Sequence, residues 1–337
     1  MAPEGPLPDL VTVPGNPAPP GAVVEWLSLT DGTKLRTARW LLPAHEAHGT
    51  VVLIGGRTEF IEKYFEVVGE LLARGLSVIT FDWRGQGLST HALPERTKGH
   101  IRDFSEFDCD LAAVMNRVVL VHGKKPYIGL AHSMGGNILL RYLHDFPHEF
   151  DCAVLTAPML AVKTAPYPQW FARAMATAST AAGQHNSFVF GGAKQDPFAQ
   201  VFETNGVTTD KGRFARFMDC LKAEPRLALG APTFGWLEAA YRSMELVASE
   251  EFAHGIETPV LLIGAAHDQL VNPGADMTLI KRIKRGMYVM LKAEHEIMME
   301  RDDIRMAFWG CFDPFVRGLT PVAQRATAAA RTSQTAA

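Results

Sequence analysis

The segment Ala131-His132-Ser133-Met134-Gly135-Gly136 sets a serine where the chain changes from strand to helix. An apolar run, Pro126-Tyr127-Ile128-Gly129-Leu130, precedes it. A helical stripe at Ile138, Leu139, Tyr142 and Leu143 follows. A sharp turn between two such elements lifts a hydroxyl clear of the backbone, where a base and a carbonyl carbon can both reach it. Small residues two before and two after the serine let strand and helix pass closely. Gly135 meets this need and Ala131 carries one methyl more.

A serine hydroxyl attacks only when a base removes its proton, and the base needs a third group to fix its tautomer. On a strand–elbow–helix architecture these partners follow in the order serine, acid, histidine. Asp268 is the carboxylate in the loop Gly264–Val271, after the apolar run Pro259–Ile263. The loop after the preceding strand, Ala157–Leu160, has none. Asp276 lies nearby, but its place fits a helix N-terminus, where a carboxylate is favoured. Of twelve histidines only His295 follows Asp268, in the loop after Met287–Leu291. Ser133, Asp268 and His295 are therefore the expected triad. The expected oxyanion hole is the Met134 amide plus the Arg57 amide, with paired Gly55 and Gly56 permitting close backbone approach. His132 adjoins the serine but strand-end geometry bars it from acting as the base, so a pocket-wall or buried role is expected. In Asp82–Ser89 the glycines shape a loop, which an Asp82–Arg84 pair is expected to brace.

These groups need a scaffold. Val23–Thr30 and Leu35–Leu42 flank the turn signal Asp31-Gly32-Thr33 and predict an antiparallel hairpin. Strands at 50–54, 76–81, 127–131, 153–156, 259–263 and 287–291 alternate with helical stripes at 61–72, 104–118, 134–146, 275–283 and 302–316. Such alternation predicts an α/β fold with a mostly parallel sheet and helices on both faces. From Leu160 to Gly255 the alternation stops, which predicts a helical cap inserted between two strands. The organisation expected is a proline-rich arm at 1–21, with seven prolines, a core at 22–159 and 256–318, a cap at 160–255 and a disordered tail at 319–337.

The bulk properties narrow the function. The chain has 337 residues, 47% hydrophobic and 20% charged, with 33 basic against 36 acidic side chains and a net charge of −3. That balance excludes a nucleic-acid footprint and a polybasic membrane patch. No apolar run spans a bilayer, and no secretory signal is expected, since the first basic residue is Lys34. Cys109, Cys152, Cys220 and Cys311 form no metal-ligand spacing. Cys109 and Cys152 are expected as buried free thiols. No metal and no cofactor are expected, and the setting is expected to be cytoplasmic.

Together these motifs resemble the α/β-hydrolase family of monoacylglycerol lipases and bacterial lysophospholipases, over about residues 22 to 318. Gly56-Arg57-Thr58-Glu59 with Lys63-Tyr64, His295–Glu300 and Pro232–Leu237 resemble the lysophospholipase L2 branch. Gly55 stands where monoacylglycerol lipases carry histidine. The resemblance implies a serine carboxylic-ester hydrolase acting on single-chain acyl esters, with transient membrane-surface contact through the cap. It implies head-group contacts at Glu59 and Lys63, and candidate substrate contacts at Phe60, His132, Phe234 and Trp236. The cap aromatics Trp170, Phe171, Phe188 and Phe190 are alternatives between an acyl channel and the cap's own core. Acyltransfer, thioester or C–C hydrolysis, perhydrolysis, or a non-catalytic ligand receptor on the same scaffold stay open. Oligomeric state is not legible.

Overall fold

The computed structural model describes residues 10–164 and 167–319. The first nine residues of the expected arm, and the expected tail beyond 319, lie outside the described residues.

Eight strands form one sheet: β1 (Val23–Ser28), β2 (Lys34–Trp40), β3 (Gly49–Ile54), β4 (Leu76–Phe81), β5 (Tyr127–His132), β6 (Cys152–Thr156), β7 (Val260–Ala265) and β8 (Gly286–Leu291). Their order is β1-β2-β4-β3-β5-β6-β7-β8. β1 and β2 pair antiparallel, β2 meets β4 antiparallel, and all other pairings are parallel. Every residue of β3 to β7 is buried, so both sheet faces are covered, as continuous apolar parallel strands require. The edge strands β1 and β8 keep exposed positions.

The covering helices are α1 (Phe65–Ala73), α2 (Ser105–Val114), α3 (Leu120–His122), α4 (Met134–Asp145), α5 (Gln169–Ala181), α6 (Lys211–Ala223), α7 (Phe234–Ala248), α8 (Glu250–Gly255), α9 (Pro273–Ile280) and α10 (Asp302–Leu319). Ionic contacts join them in pairs. Arg74 Nε meets Asp313 Oδ1 at 2.9 Å between α1 and α10, and Arg141 Nε meets Asp108 at 2.9 Å between α4 and α2. A π-helical stretch, Met115–Val119, links α2 to α3 and changes the phase of the stripe. Cys109 is exposed, against expectation, and Asp110 takes the buried position beside Leu111.

Between β6 and β7 the described residues form α5 to α8, short 3-10 turns and irregular chain, without a named strand. This segment is fastened to the sheet. Thr233 caps α7, accepting from the Trp236 amide. Ser243 of α7 donates to Asn137 Oδ1 of α4 at 2.6 Å. Phe214, Met218 and Leu221 of α6 form a second apolar cluster with Phe60 and Leu88, onto which Val11, Val13 and Trp26 fold. The described part of the arm is thus packed down: Asn16 is buried and donates to the Glu62 carbonyl at 2.9 Å.

Two buried charge arrangements depart from the sequence reading. Asp82 does not pair with Arg84. It accepts from Arg36 Nε at 2.8 Å and from the Ile61 and Leu88 amides at 3.0 and 2.8 Å. Arg36 also grips Glu62 at 2.7 and 2.8 Å, and all three side chains are sealed from solvent. Arg84 turns instead to Asp110, Glu106 and Asp31, at 2.6, 3.0 and 3.0 Å. Burial pushes the Asp82 carboxyl up to about 6, with Arg36 opposing and Glu62 reinforcing the shift.

Asp276 also differs. It lies in the first turn of α9, where the sequence places it, but it is buried there and neither carboxyl oxygen has a hydrogen-bond partner. Burial and the nearby Asp268 charge raise its pKa to about 8.

Arg36→Met strands two buried carboxylates, so a loss of about 3–5 kcal/mol is expected in urea unfolding. An unchanged midpoint would contradict the pairing. Asp276 holds its proton in the folded state well above the pH at which an unfolded aspartate releases it. Its carboxyl therefore costs nothing below about pH 4 and progressively more as pH rises to about 8. The Asp276→Asn variant should match wild type in melting temperature near pH 4 and exceed it by pH 8. The gain corresponds to about 1–3 kcal/mol. A gain independent of pH would contradict the assignment.

Candidate active site

The sheet's topology brings the carboxyl ends of β3, β5, β7 and β8 to one rim. Ser133 caps β5 with φ 50° and ψ −117°, a conformation L residues rarely adopt. Its amide donates to the Thr156 carbonyl at 3.1 Å, and its carbonyl accepts from Gly136 at 3.0 Å, Asn137 at 3.2 Å and Met159 at 2.9 Å. The next turn needs glycine. A Cβ on Gly135 would lie 2.5 Å from the Gly55 carbonyl and 2.8 Å from that of Ile54. Ala131 is fully buried in β5.

Ser133 Oγ lies 3.0 Å from His295 Nε2, and His295 Nδ1 lies 2.6 Å from Asp268 Oδ2. The structure thus brings together three residues 135 and 27 positions apart in sequence order. The other oxygen of Asp268, Oδ1, accepts from the Leu270 and Val271 amides at 2.7 and 2.8 Å. Burial pushes this carboxyl up, but His295 and those amides outweigh it and hold the pKa below the usual value. Such a chain can draw a proton from the hydroxyl to the imidazole while a fixed anion faces the far nitrogen.

Facing the serine is the turn after β3. A Cβ on Gly56 would sit 3.1 Å from Ser133 Cβ, so only glycine fits this approach without displacement. Gln86 clamps the turn, accepting from the Thr58 amide at 2.7 Å and donating to the Gly56 carbonyl at 3.1 Å. Thr58 is held at φ 66°. Among the described residues, neither the Arg57 nor the Met134 amide has a hydrogen-bond partner. Two free donors next to a nucleophile can receive a negative oxygen.

His132 is buried, with Nδ1 within 3.0 Å of the Thr156 carbonyl and its ring centroid 4.7 Å from that of His295. Burial lowers its pKa to about 4, so it stands neutral beside the second imidazole. Glu59 and Lys63 are also buried and are engaged with each other. Glu59 accepts from the Gly56 amide, from Tyr64 Oη at 2.5 Å and from Lys63 Nζ at 2.8 Å; Lys63 reaches Glu296 at 2.6 Å. Burial raises the Glu59 carboxyl, but Lys63 outweighs this and keeps it ionised. These side chains, from which a head-group contact is expected, join the Gly56 turn to the His295 loop through these internal pairs. Phe60 likewise stacks on Phe217, with centroids 5.6 Å apart, inside the second cluster. Phe234 and Trp236 are buried at the start of α7. Phe234 meets Phe190 edge-on, and Trp236 lies under the Arg57 guanidinium, 5.3 Å from its centroid. Trp170 and Phe190 are 70% and 73% exposed, so neither belongs to an interior.

Several positioning residues escaped the sequence reading. Glu300, fully buried, accepts from the Glu294 amide at 2.9 Å and the Thr209 amide at 3.0 Å, tying the His295 loop to the segment before α6. Lys163 donates its ammonium to the Asp268 carbonyl, and its amide to the Leu270 carbonyl at 2.8 Å. A basic residue at a strand-loop boundary gives no hint of such a partner about 100 positions away. Among the described residues no group of histidine, cysteine and carboxylates could hold a metal ion.

The model of a family described as serine aminopeptidase, S33, matches residues 45–302. Lysophospholipase L2 of Escherichia coli K12 is 30% identical over 311 residues, covering 88% of each chain. Probable lysophospholipase L2 of Haemophilus influenzae is 28% identical over 284 residues, covering 83% of this chain and 88% of that one. Among solved structures, a soluble variant of monoglyceride lipase from Saccharomyces cerevisiae, in complex with a substrate analog, superposes with a TM-score of 0.68 at 19% identity. It covers 90% of this chain and 99% of that one, a likeness of fold. Sheet order, serine turn and the extent of the family match agree: the chain belongs to the serine aminopeptidase S33 family, on an α/β-hydrolase fold.

Proposed function

We propose that this protein is a serine ester hydrolase that cleaves single-chain acyl esters of glycerol, of the lysophospholipid or monoacylglycerol type, through an acyl-enzyme. The observation that carries the reading is the continuous relay Ser133–His295–Asp268, at 3.0 and 2.6 Å. His295 Nε2 takes the Ser133 proton as Oγ attacks the ester carbonyl. The tetrahedral oxyanion is received by the Arg57 and Met134 amides. Collapse expels the alcohol, which takes the proton back from His295. A water molecule, deprotonated at the same nitrogen, then releases the fatty acid and restores Ser133. Asp268 keeps the imidazole in one tautomer and offsets its transient charge.

The substrate class is supported by the relatives. The L2 lysophospholipases match over most of both chains. Monoacylglycerol lipase of Mycolicibacterium smegmatis matches at 35% identity over 116 residues, a third of this chain. Tyr167, Trp170 and Phe171, exposed around the start of α5, and Phe190 beyond it support transient contact of this helical segment with a lipid surface. No helix of the described residues is long and apolar enough to cross a membrane. The four unpaired cysteines support a reducing, cytoplasmic setting.

Ser133→Ala should fold, fail to label with a fluorophosphonate and lose ester turnover. Asp268→Asn should keep its fold and lose about 10⁴-fold in kcat, because the wrong tautomer faces Ser133. Full turnover in either variant, followed as fatty-acid release, would overturn the mechanism.

A further inference from the structure

Arg57 stands apart from the other arginines near the site. Arg36, Arg84, Arg141, Arg213 and Arg305 each hold at least one carboxylate. Among the described residues no aspartate or glutamate pairs with Arg57. Its Nη2 donates to the Gly230 carbonyl, its Nε is sealed from solvent with no partner, and its Nη1 has no partner among the described residues. The fork lies over the Trp236 ring and flat against Gly99, where a Cβ would come within 2.6 Å of Nη2. Glycine at 99 therefore makes room for the guanidinium. Burial without a counter-charge pulls the pKa down to about 10, which leaves the group cationic at neutral pH. The residue as a whole is half-buried.

An uncompensated cation in so enclosed a place is costly unless something anionic completes it. Guanidinium has the planar fork that suits phosphate oxygens. The backbone of the same residue faces the position of the ester carbonyl, and an extended arginine spans about the length of a glycerol unit. We propose that the Arg57 side chain binds the phosphate of a lysophospholipid head group, so that the enzyme prefers anionic lysophospholipids to neutral monoacylglycerols. The inference rests on the ester-hydrolase reading for the position of the carbonyl, and it selects one of that reading's two substrate types. A choline head group would bring a second cation to a site with no acidic partner, so phosphate monoesters and glycerol diesters are favoured over choline esters.

The test compares short-chain, monomeric esters of one acyl length: lysophosphatidic acid, lysophosphatidylglycerol, lysophosphatidylcholine and monoacylglycerol. The readout is the ratio of kcat/KM for each phosphate ester to that for the monoacylglycerol, measured within one variant. Damage to the oxyanion turn then divides out. Wild type should favour the two anionic esters by at least about tenfold. Arg57→Gln should lower that ratio by at least about 30-fold, chiefly through KM, and Arg57→Lys should fall between. A ratio unchanged in Arg57→Gln, or no anionic preference in wild type, overturns the proposal. A second arm uses binding alone. Ser133→Ala should bind glycerol 3-phosphate in calorimetry, more tightly than inorganic phosphate, and the added Arg57→Gln should abolish it. Equal affinity for the two phosphates, or binding that survives Arg57→Gln, overturns the head-group assignment. Should wild type hydrolyse none of the esters while Ser133→Ala still binds glycerol 3-phosphate through Arg57, the ester-hydrolase reading fails and the phosphate site stands.

Discussion

The structure turns on a backbone that is held where it does not wish to be. Among the described residues, three that are not glycine have φ in the left-handed region: Thr58, Ser133 and Ala157. They follow β3, β5 and β6, which are neighbours in the sheet, so the strain is gathered on one rim. Each such residue costs on the order of 1–3 kcal/mol and persists only where its surroundings over-determine it. Here those surroundings are visible. Thr156 and Met159 bracket Ser133 through main-chain bonds, Gln86 grips the Thr58 amide and the Gly56 carbonyl, and the Ala157 amide donates to the Ile263 carbonyl at 2.9 Å. Gly135 lets α4 settle against the end of β3, and this contact brings the serine within reach of the Gly56 turn.

The second layer of support is electrostatic. Glu59, Lys63 and Glu296 link the turn after β3 to the loop that carries His295. Glu300 and Lys163 stitch the loops after β8 and β7 to the chain between β6 and β7. These contacts are buried or half-buried, where water competes little and each ionic hydrogen bond directs geometry strongly. The helical segment between β6 and β7 is therefore part of the mounting of His295 and Asp268.

The sheet was legible in the sequence because its central strands are continuous apolar runs. The boundaries at 76–81 agree, and those at 50–54 and 153–156 begin one residue late. The proximity of Ser133, Asp268 and His295 was legible through chain order, since one histidine follows the acid. Charged side chains were read less well. Asp82 beside Arg84 reads as a local pair, yet each finds a partner in a distant element. Glu59 and Lys63 are expected from the resemblance to meet a head group, and the sequence does not reveal that both are buried and paired with each other. Asp276 reads as a helix-terminus acid, yet it is sealed and unpaired. Composition shows that a residue can carry charge; only the assembled fold decides what neutralises it. Cys109 was misplaced for a different reason, as its apolar context did not reveal which face of α2 it occupies.

The order of the site along the chain has a consequence for the protein's birth. A ribosome releases the segment from β3 to α4, with its serine and its two free amides, while Asp268 and His295 are still unmade. Those two arrive on β7 and β8, at the far edge of the sheet and after the helical segment has emerged. A nascent chain therefore carries the hydroxyl without the imidazole that lies 3.0 Å from it in the folded protein. In the proposed mechanism, reactivity toward esters therefore waits until β8, the last strand, has docked.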